Sequence, residues 1–229
     1  NNAIPHSGDK VIVKHDVTIQ KGKTAKCDNI DLKKRVIQIF WFKWTTYGDV
    51  TVEKNADLVV KGNFNFNDNK NDIIFKNGSK LVLRGSGKQN LPEDPNTTGF
   101  LKGGIYNLVV NNSSSKKVTT KGTTTIKNKL TLKNGIIKST KNNLLNIAKN
   151  ANLNGVSNKS YIKGPHFFNG KKSMSFHVKH NKSIKKVEVE DCSLSDQFNI
   201  SYNATPHKVN KLSSSLKNVS KIEHWDISP

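Results

Sequence analysis

The stretch TVEKNADLVVKG (51–62) returns as IFKNGSKLVLRG (74–85) with almost every side chain changed and every apolar slot kept. At an offset of 23 positions (50 to 73), Val50 matches Ile73, Val52 matches Phe75, Leu58 matches Leu81, Val60 matches Leu83 and Gly62 matches Gly85. Asn55 and Gly78 share the turn between the two apolar pairs. Each copy reads apolar-x-apolar, a short polar turn, apolar-x-apolar, then Lys or Arg and Gly. This is the period-2 signature of half-buried strands, where helices need a 3.6 period. The two pairs stand about five residues apart, too far for a two-residue hairpin, and the unit recurs at a length typical of solenoid coils. In a solenoid each coil lays its strands about 4.8 Å above the previous coil's. Only the inward apolar slots and the turn glycines are then constrained, and outward residues drift.

Looser copies extend the pattern: KVIVKHDVTIQKG (10–22), NLVVNNSSSKKVTTKG (107–122), TIKNKLTLKNGIIKS (125–139) and LLNIAKNANLNG (144–155). GSGKQNLPEDPNTTGFLKGG (85–104), rich in Gly and with two prolines, is expected to project from the stack as a loop. From about residue 156 the rhythm changes to longer strands, as in SMSFHVKH, KKVEVEDC, QFNISYNA and KIEHWDIS. The sequence therefore predicts an all-β chain: a parallel β-solenoid over 1–156, then an antiparallel, sandwich-like segment over 157–229. That segment is placed to cover an open solenoid end, which otherwise exposes unpaired strand edges.

The 229 residues, 34% hydrophobic, suffice for a sizeable core. The longest apolar cluster, VIQIFWF, has seven residues, far short of the roughly 18 to 20 of a membrane span. The opening NNAIPHSGDK has neither an initiator Met nor a signal region and reads as a mature product or an excerpt. The net charge of +21 points to an anionic partner: glycan, nucleic acid or membrane surface. A compositional reading competes with it, because 36 lysines and 30 asparagines are what an AT-rich genome writes at tolerant surface sites. Only Arg35 and Arg84 are arginine, which disfavours nucleic acid, whose recognition draws on the bidentate guanidinium fork. Cys27 and Cys192 lie too far apart in sequence to define a metal motif.

IPHSGDKVIVKHDVTIQKG, GDVTVEKNADLVVKGNFNF, LTLKNGIIKSTKNNLLNIAKNANLNG, SYIKGPHFF, FNISYNATP and KIEHWDIS together resemble β-solenoid repeat regions of large secreted surface proteins of Bacteroidota. The resemblance spans nearly the whole chain and rests on apolar slots and glycines. It implies an extracellular or cell-surface, adhesin-like setting. The family's Gly/Ala/Thr-rich turns are here replaced by Lys and Asn, and no C-terminal sorting domain is recognisable.

Two stretches could hold a ligand. In RVIQIFWFKWTTYG (35–48), Ile37, Ile39 and Trp41 alternate with Phe40, Phe42 and Trp44, which reads as a strand covered on both faces or an aromatic plug. The alternative is a stacking platform of Trp41, Trp44 and Tyr47 for sugar rings or a partner subunit. In NGKKSMSFHVKHNKSIKKVEVE, Lys171, Lys172, Lys179, Lys182, Lys185 and Lys186 crowd together, either to hold an anionic glycan or to guard a solvated sheet edge. His177 and His180, three apart on a strand, point to opposite faces and do not form a metal pair. GNFNFNDNKND (62–72) lacks the spacing of a calcium loop, and Gly22-Lys23-Thr24 reads as a turn.

A glycan-cleaving β-helix enzyme would need clustered carboxylates, whereas the 17 acids here are scattered. The expected function is a structural or adhesive surface protein, a solenoid spacer or filament subunit without catalysis, cofactor or metal. Its partners are further copies, neighbouring domains or anionic glycans. A carbohydrate- or polyanion-binding module is the alternative, and a polysaccharide-cleaving enzyme the second.

Overall fold

The computed structural model describes residues 10–14, 16–32, 34–39, 42–47, 49–66, 72–92, 101–113, 117–169, 172–180, 183–193, 196, 199–203 and 224–228. Among these residues all regular structure is β, and most of it is a parallel solenoid whose coils have three sides. The first side stacks Lys10–Val13, Asn29–Leu32 and Phe64–Phe66, and is carried on by Gln89–Asn90, Val118–Thr119, 135–138 and 160–163. The second stacks Val17–Ile19, Val50–Val52, Ile73–Phe75 and Leu101–Lys102, with 124–126, Leu145–Ile147 and 166–168 on later coils. The third runs through Thr24–Cys27, Asp57–Val60, Lys80–Leu83, 107–110, 129–132 and Asn152–Asn154.

The repeat is this stack. Val50 lies beside Ile73 and Val52 beside Phe75 on the second side; Leu58 lies beside Leu81 and Val60 beside Leu83 on the third. The inward column Ala25, Leu58, Leu81, Leu108, Leu130 shows how the pattern becomes a core, since each of these side chains is at least nine-tenths buried. Burying one such leucine contributes roughly 1.5 to 3 kcal/mol. What the repeat did not disclose is the first side, which follows the glycine of each copy.

Corners are held by polar ladders and by backbone that needs a left-handed residue. Gly22, Asn55 and Gly78 occupy equivalent turns with φ of 71°, 59° and 80°, a region open to Gly and, among other residues, mainly to Asn. At another corner, Asn29 Oδ1 accepts from the Asn63 N–H at 2.8 Å and Asn63 Oδ1 from the Asn90 N–H at 2.9 Å. Asp16 and Asp49 repeat the device, their carboxylates accepting the N–H groups of Asp49 and Asp72 at 3.2 and 2.8 Å. These side chains satisfy backbone donors that a bend takes out of the ladder.

Three expectations change in detail. The aromatic stretch is not one continuous strand: Lys34–Ile39 and Phe42–Tyr47 pair antiparallel with Ile39 opposite Phe42, so the chain reverses inside it and the single-strand alternation does not apply. This hairpin is an excursion between two coils. The expected loop 85–104 is partly in the stack, because Gln89–Asn90 forms a rung of the first side; 93–100 lie outside the described residues. Parallel stacking also continues past 156 as far as Phe168, and antiparallel pairing begins with Ser173–His180. That strand pairs in turn with Ser183–Val189 to make a terminal hairpin. Asn199–Asn203 and His224–Ser228 form a separate antiparallel ladder. No helix among the described residues is long and apolar enough to cross a membrane.

Candidate functional site at the end of the solenoid

Strand alternation sorts the terminal hairpin into two faces. Met174, Phe176, Val187 and Val189 share one face and pack with Leu144, Phe167 and Cys192 in a small second core. Ser173, Ser175, His177, Lys186 and Glu188 occupy the other, on the side of His166 and Phe168. His166 itself takes an inward slot, last in the column Thr124, Leu145, His166. The column thus ends on a histidine where the preceding coil has a leucine.

His166 is fully buried and its ring lies 4.8 Å from that of His177 and 5.4 Å from the Phe168 ring. Its Nδ1–H donates to the Gly164 carbonyl at 3.3 Å, which leaves the Nε2 lone pair facing inward. His166 Nε2, Ser175 Oγ, His177 Nδ1 and Asn146 Oδ1 are buried without a hydrogen-bond partner among the described residues. Burial first, then the charge of His177, pushes the pKa of His166 down to about 3. Burial first, then Lys186, pushes that of His177 down to about 4, with Glu188 opposing. Both rings are therefore neutral at pH 7. Beside them, Glu188 accepts from Ser173 Oγ and from Lys186 Nζ, each at 2.6 Å, so its carboxylate is already satisfied.

His177 and Lys186 face the last coil across a groove of about 630 Å³. Ala148, Ala151, Leu153, Val156 and Phe168 supply its apolar wall; Lys149, Asn150 and Asn152 supply its polar rim. The groove can accept an apolar edge flanked by hydrogen-bond donors, and the neutral imidazole of His177 stands at its wall.

The sequence-based candidates fare unevenly. Lys186 lies at the groove, whereas Lys185 alternates to the opposite face of the same edge strand, opposite Val178. Lys172 is exposed in the preceding turn at φ 47°, its carbonyl accepting the Cys192 N–H at 2.8 Å. Lys171 and Lys182 lie outside the described residues, as does Trp41. Trp44 and Tyr47 are placed by backbone pairing opposite Ile37 and Lys34 on the excursion hairpin, in a sheet of its own. The structure thus divides the lysine run rather than gathering it. Sequence reasoning missed His166, whose only signal was a histidine in an apolar slot of SYIKGPHFF. Cys27 and Cys192 are both buried, and among the described residues no three His, Cys, Asp or Glu stand together to hold a metal ion. The chain matches no known protein family, no curated protein and no solved structure.

Proposed function

We propose that the chain is a rigid spacer module of an extracellular or cell-surface protein, structural and adhesive rather than catalytic, whose solenoid is stopped at one end by the terminal hairpin. The observation that carries this reading is the switch of pairing at Phe168. A parallel coil can grow by adding another, but an antiparallel strand on the second side offers the wrong polarity to an incoming coil.

Other features support it. The first coil exposes Lys10, Lys14, Lys21, Lys23 and Lys26, and lysines on an edge discourage pairing with another chain. A net charge of +21 keeps copies apart at low ionic strength. Extracellular placement follows from the likeness of the repeats to secreted surface solenoids. At the groove the acid sharing a hairpin face with His177 is neutralised by Lys186, an arrangement that orders strands rather than activating water. Light scattering after size exclusion, at low and moderate salt, is expected to give one species of 25.5 kDa. A ladder of oligomers or filaments by electron microscopy would overturn the spacer reading in favour of an assembly subunit.

A further inference from the structure

The first side of the later coils carries a cationic strip whose members are scattered in sequence. Lys138 and Lys163 are register partners on neighbouring coils, and Thr119 precedes Lys138 in the same column. All three take outward slots, because their neighbours Val118, Ile137 and Ile162 are fully buried. Lys138 and Lys163 are exposed. Lys117, two residues before Thr119 and separated from it by the buried Val118, takes the same outward side and lies in the field of Lys163 and Lys138. Burial first, then Lys163 and Lys138, hold its pKa below the ordinary lysine value.

Like charges on adjacent rungs, about 4.8 Å apart, repel. Elsewhere the chain avoids this: Lys80 on the third side meets Asp57 of the neighbouring coil at 2.8 Å. Among the described residues the ion pairs of the chain leave Lys117, Lys138 and Lys163 without an acid. A bound anion would offset that repulsion. The column continues into hydroxyl and amide, with Thr119 Oγ1 donating to Asn90 Oδ1 at 2.6 Å.

We propose that Lys117, Lys138 and Lys163 form a binding strip for an acidic polysaccharide, laid along the solenoid axis with its carboxylate or sulfate groups among the ammonium groups and its hydroxyls toward Thr119 and Asn90. Lysines act as point charges and suit single, spaced acid groups, whereas nucleic acid favours arginine forks, and this chain has only Arg35 and Arg84. The strip lies on the side wall, so it goes beyond the spacer reading and holds whether or not copies stack.

The test measures binding of the full chain to dextran sulfate, polygalacturonate, neutral dextran and single-stranded DNA. The variant Lys117→Gln/Lys138→Gln/Lys163→Gln is compared with Lys26→Gln/Lys54→Gln/Lys76→Gln, which removes the same charge from exposed residues elsewhere. The strip variant is expected to lose about tenfold or more in affinity for an acidic polysaccharide, with a salt slope smaller by about two. The control is expected to change less than about threefold, and neutral dextran not to bind. The two acidic probes distinguish sulfate from carboxylate. An equal loss in the control would reduce the effect to bulk charge, and tighter, strip-dependent binding of DNA would make the partner a nucleic acid. Either result overturns the proposal, as does wild-type chain that binds neither acidic probe. Thermal melting checks folding, and the strip variant is expected to melt no lower than wild type because it loses like-charge repulsion.

Discussion

Replacing Gln89 by leucine, a change that adds apolar surface at a fully buried position, is expected to destabilise the chain by about 3 kcal/mol. Gln89 stands in the inward column that continues as Val118, Ile137 and Ile162, where pattern alone would place a hydrophobe. Its amide is saturated. Nε2 donates to the Val60 and Gly62 carbonyls at 3.0 and 2.7 Å, and Oε1 accepts from the Gly85 N–H at 3.1 Å and from Asn112 Nδ2 at 2.9 Å. Leucine leaves the Gly85 N–H and the Gly62 carbonyl buried without that partner, at about 1 to 3 kcal/mol each. The Val60 carbonyl and Asn112 lose less, since they keep the Arg84 N–H and the Gly87 carbonyl. Glutamate should be worse at neutral pH, because a carboxylate would face two carbonyl oxygens in place of a donor. Urea unfolding checks both: the midpoint falls and the slope stays.

Mild acid is expected to cost as much or more, and by another route. An unfolded histidine titrates near pH 6.5, whereas His166 and His177 hold folded values of about 3 and about 4. Below pH 6.5 the unfolded chain therefore takes up protons that the folded chain refuses. Stability is complete above the unfolded value and is lost as pH falls toward the folded ones. Between pH 6.5 and 4.5 the two groups together remove on the order of 3 to 5 kcal/mol, at 1.36 kcal/mol per unit and group as the ceiling. The expected measurement is a steep fall of the urea midpoint across that window, shallower by about half in His166→Leu. An unchanged slope in the variant would mean that other groups carry the acid response.

The parallel stack was legible because its constraint is periodic. Val50 with Ile73 and Leu58 with Leu81 repeat at one offset, and a side chain pointing into a solenoid has no freedom to be polar. The first side was not, because its rungs begin at irregular distances after Gly62 and Gly85 and one of them opens on Gln89. The asparagines looked like compositional drift, yet Asn29, Asn63, Asn90 and Asn112 hold corners through hydrogen bonds that only a three-dimensional register reveals. The lysine grouping was drawn from the same local view. Lysines adjacent in sequence, such as Lys185 and Lys186, alternate to opposite faces, while Lys138 and Lys163 become neighbours by stacking. Local density is thus a poor guide on a solenoid, where proximity runs across coils.

The hairpin as the stop on the solenoid is tested most directly by releasing it. Phe176→Asp places a carboxylate in the small core with Phe167 and Met174, at a cost of about 3 to 5 kcal/mol that falls on one terminal unit of a modular stack. Amide exchange over residues 173–189 and light scattering are read on the same sample. Rapid exchange there together with dimers and higher species would show the freed second-side edge of 166–168 recruiting another chain, as expected. Rapid exchange in a chain that stays at 25.5 kDa would mean that something other than the hairpin keeps copies apart, and would contradict it.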